Sequence, residues 1–121
     1  MSTINAANIT DGTDTVATGY VVNGSAKAWV HGSTTATVLK SLNVSSGTDH
    51  ATGDYSYTLI AAMDSSNYSQ PVTVVSGTSD RVARRNSSRD TASVMAIETS
   101  NARTNNQTDQ THNSTLHGDL A

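Results

Sequence analysis

Tyr55-Ser56-Tyr57-Thr58-Leu59 is the clearest alternation in the chain, with three large side chains on one face of a strand and two hydroxyls on the other. Looser runs surround it. Ala26 to His31 carries Trp29 beside Val30, and Ala36 to Val44 sets Val38, Lys40, Leu42 and Val44 on one side with Leu39 on the other. Tyr68 to Ser76 has Pro71 near its start, as an edge strand or strand entry does. Ala92 to Thr99, through Val94, Met95 and Ile97, and Gln110 to Gly118 complete the strand candidates. Polar runs separate them: Ser45 to Gly53, Thr78 to Thr91 beyond a boundary at Gly77, and Asn101 to Asp109 read as loops. Six or so short strands at close spacing, without a useful helical period, predict an all-β fold, an antiparallel β-sandwich of short strands.

The first 24 residues differ from the rest. Met1 to about Asn23 reads as an extended, polar N-terminal segment, with a turn at Asp11-Gly12-Thr13-Asp14 and a short strand within Val16 to Val22. Asn23-Gly24 is a tight-turn dipeptide that closes it. The expected division is therefore 1–24 as an extended segment and 25–121 as the sandwich domain.

Composition makes that domain's core thin. Of 121 residues, 35% are hydrophobic and 4% aromatic, there is no Phe, and Leu, Ile and Val together supply about a sixth. Disorder of that composition normally needs a high net charge, and here it is only −3. Ser, Thr, Asn and Gly fill the gap, which are residues of turns and short strands. Exposed aromatics could stack on sugar rings, but without Phe they are needed for packing, so Trp29, Tyr55, Tyr57 and Leu59 are the expected core. Burial between subunits would supplement so small a core.

Several function classes recede on the same residues. No apolar run reaches the roughly 18 residues of a membrane span, and Met1 to Asn5 has neither a basic nor an apolar stretch, so neither membrane insertion nor a signal peptide is expected. Zero Cys excludes thiol catalysis and thiolate zinc sites. An acidic balance argues against nucleic-acid binding. His31, His50, His112 and His117 are scattered, without zinc-site spacing, and Asp11-Gly12-Thr13-Asp14 lacks the alternating acids of a calcium loop. There is no Gly-X-Ser-X-Gly elbow, and Glu98 is the only Glu beside loop Asp residues, so no hydrolytic triad or facing carboxylate pair is expected. The chain reads as no enzyme, with no catalytic residue, cofactor or resident metal.

Arg81, Arg84, Arg85 and Arg89 are the most distinctive charged feature. Two readings stand. They form an anion-binding loop for phosphate, sulfate or acidic sugars, or they sit in a solvated loop paired to Asp80 and Asp90.

Asn23-Gly24-Ser25-Ala26-Lys27-Ala28-Trp29-Val30 resembles the opening of C-terminal modules in tail-fibre-like proteins of marine and cyanobacterial phages. The likeness continues through Ser41-Leu42-Asn43-Val44-Ser45-Ser46 and Thr52-Gly53-Asp54-Tyr55, then Met63 with Asn67-Tyr68, and closes on Gly118-Asp119-Leu120-Ala121. The lead-in Asn8-Ile9-Thr10-Asp11-Gly12-Thr13 is similar too. The chain departs where the family has an aromatic and a glycine-rich pair after the Trp strand, with His31-Gly32-Ser33-Thr34-Thr35 instead, and Leu42 replaces a usual aromatic. The resemblance implies a phage virion protein made in the host cytoplasm, a homotrimeric β-sandwich knob used for host recognition. Residues 1–24 would be its virion-attachment segment. Its partners would be other virion proteins of tail or capsid and a host surface glycan or envelope protein, with the four arginines as candidate receptor or partner contacts. A leader this short cannot supply a fibre shaft, so a short tip or a small capsid fibre is expected. Capsid decoration with a purely structural role is the alternative.

Overall fold

The computed structural model describes residues 2–75 and 79–121. Two four-stranded antiparallel sheets pack face to face. The first holds β3 (Ala28–Gly32), β4 (Val38–Leu42), β7 (Val72–Val75) and β10 (Thr111–Leu116) in the order β4-β3-β10-β7. The second holds β5 (Val44–Ala51), β6 (Asp54–Leu59), β8 (Arg81–Arg85) and β9 (Val94–Asn101) in the order β5-β6-β9-β8. The all-β sandwich is thus the observed architecture.

Residues 2–24 lie outside both sheets. They form a small hairpin of β1 (Asn8–Thr10) and β2 (Thr15–Ala17), followed by α1 (Thr18–Gly24). The predicted turn is there, closed by Asp11 Oδ1 accepting the N–H groups of Thr13 and Asp14 at 2.9 Å each. Those two N–H bonds hold the Asp11 carboxyl below its ordinary value, Asp14 contributing most. The expectation of an extended segment with a strand over Val16 to Val22 is corrected. The strand stops at Ala17, and one helical run of seven residues takes Tyr20, Val21 and Val22. Asn23-Gly24 ends that helix rather than turning a hairpin, since the Ser25 N–H returns to the Val21 carbonyl and the Lys27 ammonium donates to the Val22 carbonyl.

Three further sequence readings change. Ala36 to Val44 is not one strand but two, β4 and β5, because Asn43 turns the chain at φ 58° and carries it to the other sheet. Its side chain secures the corner, donating to the Lys27 and Ala61 carbonyls and accepting the Ala61 N–H. Ser45 to Gly53, read as a loop, is mostly strand β5. Its apolar alternation is missing because it is an edge strand with two register shifts, and because a side chain at Gly47 would overlap the Ala36 carbonyl and the Tyr57 ring. Thr78 to Thr91, also read as a loop, contains the opposite edge strand, β8, where charge guards an exposed ladder. The Gly77 boundary lies outside the described residues.

The core sits between the sheets. From β6 come Tyr55, Tyr57 and Leu59, from β9 Met95 and Ile97, and from the first sheet Ala28, Val30 and Leu116. Met63 and Tyr68 close one end. Trp29 is not among them. Strand period sends Ala28, Val30 and Gly32 inward and turns Trp29 and His31 to the opposite face, leaving Trp29 36% exposed. The inward positions of β3 have to be small. A Cβ at Gly32 would overlap the Tyr57 hydroxyl and lie 2.7 Å from His112 Nε2.

Candidate functional site: the outer face of the first sheet

The arginines are engaged within the chain. Arg84 on β8 holds Glu98 across the β8–β9 ladder with two bonds, Nη2 to Oε1 at 2.7 Å and Nε to Oε2 at 3.1 Å. This pairing lowers the Glu98 carboxyl and raises the Arg84 guanidinium. Arg89 Nε reaches the buried Asp54 at 2.8 Å, and Asn86 donates to the same carboxylate. Arg85 pairs with Asp90, donates to the Ser66 and Tyr68 carbonyls, and lies 4.6 Å from the centre of the Tyr68 ring. Arg81 lies 3.5 Å from Asp80. The pairing to Asp80 and Asp90 read from the sequence is present, joined by Glu98 and Asp54. The segment is a strand and a folded-back loop that pin the second sheet.

A polar network occupies the middle of the core. His112 Nδ1 lies 2.7 Å from the Gln110 carbonyl, which requires the proton on that nitrogen. Nε2 is then an acceptor, and Tyr57 donates its hydroxyl proton to it at 2.7 Å. Burial pushes the His112 imidazole below its ordinary value, against the Gln110 carbonyl, so the ring is neutral. Tyr55 stacks on His112 with ring centres 4.5 Å apart, and its hydroxyl donates to Asp109 and accepts the Gln110 N–H. Burial raises the Tyr55 phenol to about 12 and lifts Tyr57 and Tyr68 as well. With Tyr55, Tyr57 and His112 wholly buried, this network fastens the two sheets together.

The first sheet's outer face is open. Register sets its rows: Leu42, Trp29 and Thr115 side by side, and next to them Lys40, His31, Asn113 and Thr73. Lys40, Leu42 and Thr73 are exposed, while His31, Asn113 and Thr115 are half-buried. Rigid strands therefore present one indole ring among an ammonium, an imidazole, an amide and hydroxyls. Sequence reasoning missed this face because it placed Trp29 inside. The alternation of small inward residues at Ala28 and Gly32 was the available signal.

Among the described residues no group of three His, Cys, Asp or Glu is placed to hold a metal ion, and no helix is long and apolar enough to cross a membrane. No family model, no curated protein and no solved structure matches the chain.

Proposed function

We propose that the chain is a phage virion knob of the tail-fibre type, carried on the particle through residues 2–24 and used to attach to the host surface. The observation that carries this reading is the contrast between its two parts. The sandwich buries its own core, whereas residues 2–24 bury no side chain, and Ile4 and Tyr20 stand 93% and 77% exposed. Apolar side chains so displayed need a partner, which a larger virion protein supplies. The blocks that carry the family likeness also converge. Met63 bridges Leu120, the Asp64 N–H meets the Asp119 carbonyl at 2.9 Å, and Gly118 packs on Tyr68. This closed end adjoins the segment, where His117 Nδ1 meets the Gly24 carbonyl at 3.1 Å.

The deciding experiment is location and copy number on intact particles. Gold-labelled antibody should mark the tail, with copies in low multiples of three, and should block adsorption. Copies that follow the capsid lattice, with adsorption unaffected, would replace this reading by a decoration role. Particles without the protein would remove both.

A further inference from the structure

We propose that the outer face of the first sheet binds an acidic saccharide, with a pyranose ring stacked on Trp29 and the sugar's carboxylate or sulfate held by Lys40. The inference rests on the attachment reading and names its ligand.

Charge separates the two sheets. Strands β3, β4, β7 and β10 contain no Asp or Glu, while β5, β6 and β9 carry Asp49, Asp54 and Glu98. The protein is net −3, yet these four strands carry Lys40 and no acid. Five of the other cations are engaged within the chain. The arginines of 81–89 sit on carboxylates, and the Lys27 ammonium bonds the Val22 and Ser25 carbonyls. Lys40 is exposed on an acid-free sheet and lies diagonally across the ladder from Trp29, about 7–8 Å away for such positions. That spacing suits a sugar ring bearing an acid substituent. An indole face attracts the polarised C–H edge of a pyranose, and Trp29 is held on a strand, so little order is lost on binding. Around it the half-buried Asn113 and Thr115 offer donors and acceptors for ring hydroxyls.

Because Trp29 is the chain's single Trp, its fluorescence reports this face directly. The full chain is titrated with an alginate tetrasaccharide, a uronate polymer fragment, and in parallel with neutral cellotetraose. Alginate should shift and quench the emission with saturation. Lys40→Ala should weaken binding about tenfold, as the loss of about 1.4 kcal/mol does, and raising salt should weaken it progressively. Trp29→Tyr should retain binding by calorimetry, whereas Trp29→Ala should lose it while unfolding in urea as cooperatively as the parent. Equal affinity for cellotetraose, or insensitivity to Lys40→Ala, overturns the acidic ligand. Silence with both sugars overturns the site. Emission that changes with protein concentration alone overturns it as well, by seating a second copy on the face. Tail labelling that persists in any of these cases leaves the attachment reading standing, so the two fail separately.

Discussion

Replacing Arg85 by Ser should destabilise the fold far more than replacing Arg84, its neighbour on the same strand. Arg85 is the one cation paired with Asp90 among the described residues, and the Asp90 side chain is 1% exposed and also accepts the Ala96 N–H at 2.6 Å. It also bonds two carbonyls of the 66–68 loop and packs on Tyr68. Breaking a buried pair costs about 3–5 kcal/mol because one charge is left without a partner. Water reaches Arg85 itself, at 30% side-chain exposure, so the expected loss is about 2–3 kcal/mol. Arg84, at 56%, forms a surface pair worth about 0–1 kcal/mol. In urea, with a slope of about 1–3 kcal/mol per molar, the Arg85→Ser midpoint should fall by about 0.7–3 M with unchanged slope. Adding Asp90→Asn should restore part of that loss, since it removes the stranded charge. Equal midpoints for Arg85→Ser and Arg84→Ser would refute the reasoning and return the arginines to the solvent. The same pairing predicts that a quadruple Arg81, Arg84, Arg85 and Arg89 to Ser variant is destabilised, against the expectation for a free surface loop.

Gly32→Ala should block native packing, because the added methyl meets Tyr57 and His112; circular dichroism and urea unfolding will report it, and an unchanged midpoint would show slack in the core. Tyr57→Phe leaves His112 Nε2 without its donor and should cost about 1–3 kcal/mol in the same assay. His112 is buried neutral, so the folded chain refuses a proton that the unfolded chain accepts near pH 6.5. Stability should hold above that pH and fall as the pH drops from there towards the folded value, as followed by thermal melts from pH 8 to 4. Glu98, lowered by Arg84, adds a further loss at lower pH as it protonates, and Glu98→Gln should lessen the acid sensitivity there.

What could be read from the sequence followed from period and turn chemistry. Tyr55 to Leu59 alternates because one face of β6 meets the core and the other does not, and the Asp11 turn is legible because one carboxylate serves two backbone N–H groups. The edge strands β5 and β8 were hidden. With one neighbour each and no buried side chain in either run, nothing forces an apolar alternation on Ser45 to Ala51 or on Arg81 to Arg85. Partners distant in sequence were hidden too: Arg89 finds Asp54 across 35 positions, a pairing only the sheet order creates. Trp29 was misplaced because hydrophobicity ranks it above Ala28 and Gly32, whereas the space between the sheets is decided by what faces them.

That space is where the scarcity of apolar residues is resolved. A sandwich without Phe fills its centre with Tyr55, Tyr57 and His112, groups that bring polar atoms into a dry interior at a cost of about 1–3 kcal/mol for each one left unpaired. Here Tyr57 and His112 satisfy each other, Gln110 takes the remaining imidazole proton, and Asp109 takes the Tyr55 hydroxyl. Each bond spans the two sheets or ties the 109–110 loop to them, so it also fixes their register. Tyr57 can reach His112 only because Gly32 leaves the gap open. Small residues inside β3 in turn leave Trp29 outside, where strand period must put it. The tyrosine-filled core and the exposed indole face are therefore consequences of one packing solution, and a variant that enlarges Gly32 should disturb both the buried histidine and the emission of Trp29.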